Sequence, residues 1–182
     1  MNVTKESIEF VLKNEGGFTV DNGGPTNFGI TAKYLMDNDR WQYDLDGDGI
    51  IGIEDMKKFS KENAITEYEI MFEEDHYNLL EDSIFELTKR LFDMCVNSGP
   101  SVANRILQKS YNIFAKEKYK LMCDGILGPK TISVINELNA CYVEDLIINY
   151  RQERIKFYES LVDRNAEKYG PSLKSWLRRA NL

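Results

Sequence analysis

The chain has 182 residues, enough for one domain with a substantial core or two small lobes, and its 42% hydrophobic and 29% charged content describes an ordinary soluble globule. No apolar run approaches the ~20 residues of a membrane span, which excludes membrane insertion. The net charge of −7 is unevenly spread: residues 1–100 hold 9 Lys/Arg against 21 Asp/Glu, while residues 151–182 hold 8 against 4. That balance argues against a nucleic-acid binder, which would carry a basic face. Cys95, Cys123 and Cys141 are odd in number and lack CxxC spacing, so reduced, structural thiols are expected, with Cys95 and Cys141 in apolar surroundings. The N-terminus Met1–Glu6 lacks the basic and apolar regions of a secretory signal.

The first element reads as an amphipathic helix with Thr4 as its N-cap. Ile8, Val11, Leu12 and Glu15 fall at i, i+3, i+4 and i+7, so Glu15 continues the apolar stripe. A carboxylate there faces the interior or the lip of a cleft, where desolvation raises its pKa and suits it to general-acid work. Gly16 and Gly17 end the helix where a Cβ would obstruct a left-handed cap or a close-lying substrate. Taken alone, Glu-Gly-Gly is also an ordinary helix end. It is followed, however, by Phe18, Asp21 and the turn-and-strand segment Gly23-Gly24-Pro25-Thr26-Asn27-Phe28-Gly29-Ile30-Thr31. Thr31 is placed to cap a short helix through Met36.

Asp44-Leu45-Asp46-Gly47-Asp48-Gly49-Ile50-Ile51-Gly52-Ile53-Glu54-Asp55 has carboxylates at loop positions 1, 3, 5 and 12 and glycine at 6. Position 7 is Ile50, which offers its carbonyl. The pattern resembles an EF-hand or dockerin-type calcium loop, with Asp55 in place of the usual glutamate. The expected ligands for a structural Ca2+ are Asp44, Asp46, Asp48, Ile50 and Asp55. The competing reading is a metal-free acidic turn.

Helical patterning resumes from Ile53 to about Tyr77, with a break near Ser60-Lys61. His76, the single histidine, excludes HExxH zinc chemistry and a serine or cysteine triad, leaving carboxylate chemistry. A buried helix from Phe85 to Val96 ends at Asn97-Ser98-Gly99-Pro100, where Asn97 caps the helix or lines a cleft. A helix over Val102–Phe114 follows. Asp124-Gly125-Ile126-Leu127-Gly128-Pro129-Lys130-Thr131 shapes a loop: an Asx turn at Asp124, positive φ at Gly125 and Gly128, and a helix start at Pro129. Two further helices are expected near Cys141–Leu161 and Pro171–Arg179.

The Glu15-Gly16-Gly17-Phe18 stretch, Asp21 and the Gly-Gly-x-Thr-x-Phe-Gly-Ile-Thr segment together resemble the N-terminal motif of glycoside hydrolase family 108, phage-associated N-acetylmuramidases. The helix ending in Asn97-x-Gly99, the Asp124–Thr131 motif and the Tyr150-Arg151 and Trp176–Arg179 segments are similar to later parts of that family. The resemblance runs from about Ile8 to Arg179. It implies a mainly α, lysozyme-like fold with a small β-hairpin segment, a catalytic lobe over 1–96 and a helical peptidoglycan-binding lobe over 97–182. It further implies hydrolysis of the β-1,4 bond between N-acetylmuramic acid and N-acetylglucosamine, with Glu15 as general acid.

Asp21 is the first candidate for the second catalytic group, because the segment after Gly17 can fold it back across the cleft. Thr26 and Thr31 are the alternatives as water-positioning hydroxyls, and Thr31 and Asn97 are candidate substrate contacts. No cofactor is needed for such chemistry. The expected partner is bacterial peptidoglycan, whose anionic groups suit the basic C-terminal third, and the expected state is a monomer. Without a signal, such an enzyme reaches the wall or periplasm from the host cytoplasm by holin-type or secretion-system release. The rival readings are a non-catalytic wall-binding protein, a calcium-dependent interaction module, and a glucosaminidase or lytic transglycosylase on the same polymer.

Overall fold

The computed structural model describes every residue except Met1, Asn22 and Gly23, and at Asp21 the backbone alone. The described residues form nine α-helices and one three-stranded antiparallel sheet. Helix α1 (Val3–Asn14) is capped by Asn2, whose side chain accepts from the Lys5 N–H at 3.0 Å. Thr4, the expected cap, lies inside the helix. The helix ends because Glu15 turns to extended backbone (φ −87°, ψ 148°) while its N–H still bonds Val11. Neither Gly16 nor Gly17 adopts a left-handed conformation, and a Cβ on either would meet open space, so the expected glycine cap is not what stops the helix.

Strands β1 (Thr19–Asp21), β2 (Gly24–Asn27) and β3 (Ile30–Thr31) pair in order, with Thr19 opposite Thr26 and Thr26 opposite Thr31. Phe28 and Gly29 form the two-residue turn between β2 and β3, both at positive φ (49° and 81°). That is the geometry whose twist matches a hairpin. Thr31 then caps α2 (Ala32–Asp37), accepting from the Tyr34 N–H at 3.0 Å. The Asp44–Gly52 loop leads into α3 (Ile53–Lys58), and Ser60 caps α4 (Lys61–Glu74), placing the break where the sequence predicts it. Buried Asn27 donates to the Met56 and Phe59 carbonyls at 2.8 and 3.1 Å, satisfying the open end of α3 and tying it to the sheet.

Helix α5 (Phe85–Ser98) is the spine of the molecule, packed against α1 on one side and α6 (Pro100–Asn112) and α8 (Ala140–Arg164) on the other. Phe92 anchors an edge-to-face cluster with Tyr68, Phe72 and Tyr77, centroids 5.0–6.0 Å apart. In the loop before α7 (Pro129–Asn136), buried Gln108 holds Asp124, the Gly125 N–H and the Ile126 carbonyl. Gly125 has φ +82°, as expected, and a Cβ there would lie 2.5 Å from the Ser101 carbonyl; Gly128 is ordinary extended backbone.

The last helix, α9 (Ala166–Ala180), starts five residues before Pro171, which lies inside it. The proline looks like a start signal in sequence, but Asn165 is the cap, accepting from the Lys168 N–H at 3.0 Å. Helix α9 lies along α8, with Trp176 stacked on Tyr158 at 5.2 Å. The cysteines are unbridged; Cys95 is buried as expected, whereas Cys141 is exposed at the start of α8. No helix among the described residues is long and apolar enough to cross a membrane.

Candidate active site

Glu15 leaves the end of α1 with its side chain 16% exposed, and Oε1 accepts from an Arg179 guanidinium nitrogen at 2.7 Å. The second guanidinium nitrogen of Arg179 donates to Asp93 Oδ1, also at 2.7 Å. Asp93, fully buried in the middle of α5, holds Arg154 of α8 through its other oxygen at 2.7 Å. Side chains from the end of α1 and from α5, α8 and α9 thus form one connected hydrogen-bonded chain. Removing Asp93 would leave the buried Arg154 and Arg179 guanidinium groups without their shared partner.

The β2–β3 turn closes over the same carboxyl. A Cβ on Gly29 would lie 2.7 Å from both Cγ and Cδ of Glu15 and 2.5 Å from the Tyr68 hydroxyl. Buried Tyr68 donates to the Phe28 carbonyl at 2.7 Å, steadying a residue that carries positive φ without being glycine. Burial pushes the Tyr68 phenol well above 10.0, with the negative charge of Glu15 adding to it, so it remains a hydrogen-bond donor. The Glu15-Gly-Gly and Phe28-Gly29-Ile30-Thr31 halves of the sequence motif therefore meet in space.

Thr26 and Thr31 occupy one cross-strand pair on the strands flanking that turn, half-buried, so they share a face of the hairpin. Thr31 spends its hydroxyl oxygen on the α2 cap. The side chain of Asp21 lies outside the described residues; its backbone closes β1 opposite Gly24. Asn97, in the last turn of α5, is not a helix cap: its Oδ1 accepts from the Tyr158 hydroxyl at 3.0 Å, tying α5 to α8. A groove of about 830 Å3 lined by Asn2, Ile8, Leu12 and Ile65 does not include Glu15. Chemistry selects the site here, and volume does not.

In the acidic loop, carboxylate oxygens of Asp44, Asp46 and Asp48 lie within 4.8 Å of one another. Gly47 and Gly49 have φ of 76° and 85°, which folds the loop back on itself. The Ile50 side chain is exposed and Ile51 is buried in the core. Asp55 behaves differently from an outward-facing ligand. It is 2% exposed and accepts from the N–H groups of Leu45 (2.7 Å), Asp46 (3.3 Å) and Gly52 (2.8 Å). Burial opposes its charge, but those three N–H groups, together with its own backbone N–H, outweigh it and hold the carboxyl below the usual range. Asp55 clamps the two ends of the loop together. The donor set is all hard oxygen, which fits Ca2+.

Tyr68, Asp93, Arg154 and Arg179 are the site residues that motif reading passes over. Asp93 carries a visible signal, a lone carboxylate inside the apolar run Leu91-Phe92-Asp93-Met94. Arg154 falls between Tyr150 and Tyr158 at spacing four, on a stripe that is otherwise aromatic. Arg179 sits beside Arg178 in a basic, exposed-looking tail, with nothing to mark which of the two points inward.

The family described as Glycosyl hydrolase 108 matches residues 8–99, and the one described as Predicted Peptidoglycan domain matches residues 102–181. The chain belongs to the glycosyl hydrolase 108 family. A similar solved structure is "Structure of Brucella abortus SagA", at 19% identity and a TM-score of 0.67, covering 97% of this chain and 92% of that one. Comparison with curated proteins found no match. The fold is the mainly α, lysozyme-like one, and the protein is a peptidoglycan hydrolase of the glycosidase class.

Proposed function

We propose that the enzyme is an N-acetylmuramidase that cuts the β-1,4 bond between N-acetylmuramic acid and N-acetylglucosamine, with Glu15 as general acid. The observation that carries this reading is the setting of Glu15: a partly exposed carboxyl at a helix end, held through one oxygen and covered by the Phe28-Gly29 hairpin turn. Because Arg179 occupies Oε1, Oε2 is the oxygen that delivers the proton to the leaving glycosidic oxygen. A second group stabilises the oxocarbenium-like transition state or positions water. Asp21 is the first choice for that role, with the hydroxyl of Thr26 next. Thr31 and Asn97 contribute to substrate binding through the hairpin and the α5–α8 tie on which the saccharide would rest.

Mass spectrometry of fragments released from purified peptidoglycan tests the bond. Reducing-end N-acetylmuramic acid is the expected product. Reducing-end N-acetylglucosamine would move the cut, and an anhydromuramic end would replace hydrolysis with transglycosylation.

The Asp44–Asp55 loop is proposed to hold one Ca2+ through Asp44, Asp46, Asp48 and the Ile50 carbonyl, with Asp55 closing the loop from within. The ion would cross-link the segment between α2 and α3 and take no part in the reaction. The wall or periplasm is the proposed place of action, reached by holin-type or secretion-system release.

A further inference from the structure

We infer that Arg179 is the positioning residue for the catalytic acid, so that the matched hydrolase region is catalytically incomplete without the C-terminal helices. The inference rests on the reading of Glu15 as general acid. Arg179 lies 164 residues from Glu15 and beyond the hydrolase match at residues 8–99, within the region matched as a peptidoglycan domain. Its planar fork places one nitrogen on Glu15 and the other on Asp93, both at 2.7 Å, with the side chain 5% exposed.

One end of this bridge is held by a rigid element. Asp93 is fixed in the centre of α5 and braced by Arg154, itself 1% exposed on α8. Glu15, by contrast, sits at a frayed point: its backbone has left the helix, Gly16 and Gly17 follow in open space, and Arg179 is its side chain's hydrogen-bond partner among the described residues. Without the guanidinium, the carboxyl is free to swing away from Gly29. The network is also a poor device for stability alone. The Nε groups of Arg154 and Arg179 are buried with no partner among the described residues, and buried ion pairs seldom repay their desolvation. What the arrangement supplies is a fixed orientation for Glu15, delivered by α9.

The test uses the full chain, soluble peptidoglycan fragments as substrate, and four readouts: kcat, KM, binding to purified walls and melting temperature. Arg179→Met should lower kcat about 100-fold with KM held within about threefold, as expected when a reacting group is misplaced but substrate binding is kept. The double variant Glu15→Gln/Arg179→Met should be no slower than Glu15→Gln, because Arg179 acts through Glu15.

Wild-type kcat in Arg179→Met, a loss confined to KM, or losses that multiply in the double variant would each overturn the inference. Should Arg179→Met lack the wild-type melting transition, Arg179→Lys decides. Lysine keeps the charge but has no fork to span both carboxylates, so a lower kcat at unchanged KM supports the inference and a wild-type kcat overturns it. An active Glu15→Gln would remove the reading of Glu15 itself, a separate failure visible in that variant alone.

Discussion

Gly29 has no room for a side chain because Glu15 already fills it: a Cβ would come within 2.7 Å of the Glu15 Cγ and Cδ. The position also sits at φ +81°, which side chains of L residues rarely adopt. Gly29→Ala should therefore do two things at once. Strain and overpacking should destabilise the fold by about 1–3 kcal/mol. Displacement of the carboxyl should lower kcat about 100-fold in the fraction that remains folded. Denaturant melts and steady-state rates on the same preparation check both, and a stable, fully active Gly29→Ala would contradict the packing described.

The calcium loop gives a second expectation. An ion that binds only the folded chain stabilises it by about 2.7 kcal/mol at a hundredfold excess over Kd. Melting in the presence of calcium should exceed melting in chelator by roughly 5–10 °C. Asp46→Asn with Asp48→Asn should abolish the difference, while wall hydrolysis well below the melting range stays unchanged. Equal melting temperatures with calcium and with chelator would leave the loop an acidic turn.

A third expectation comes from Asp75, which ends α4 and accepts from the Cys95 thiol at 3.3 Å. Burial, with Glu74 adding, holds its carboxyl above the usual range, although the Cys95 contact pulls the other way. Its position at the negative end of a helix acts in the same direction. The folded state binds this proton more tightly than the unfolded chain. The associated stability is therefore complete below the ordinary carboxylate range and lost as pH rises through the folded value. Asp75→Asn should raise the melting temperature at pH 7 by roughly 2 °C, with the gain vanishing near pH 3. A loss of stability at pH 7 would mean that the charged form is the one the fold favours.

Much of this architecture is legible in the chain, and the rest fails for identifiable reasons. The apolar stripe ending on Glu15, the Ser60 break and the loop at Asp124 rest on local chemistry, so local reading finds them. The Thr4 cap and the Pro171 helix start fail because stronger caps, Asn2 and Asn165, stand nearby and win. Gly16 and Gly17 resemble a left-handed cap, but extended backbone at Glu15 ends the helix first. The inner face of the site is the harder loss. Glu15, Asp93, Arg154 and Arg179 are joined by contacts 61 to 164 residues apart, and no local pattern reports them. A carboxyl expected to be isolated in an apolar lip instead has a guanidinium against it, and only tertiary packing brings the two together.

The rate of Glu15→Gln on purified peptidoglycan, measured beside wild type, tests the central claim most directly. Glutamine keeps the size of the side chain and an acceptor for Arg179 but has no proton to deliver. The predicted result is a loss of at least about 100-fold in released reducing ends, with wall binding and melting temperature close to wild type. Reducing ends released at the wild-type rate by Glu15→Gln would contradict it, and the general acid would have to be sought elsewhere in the chain.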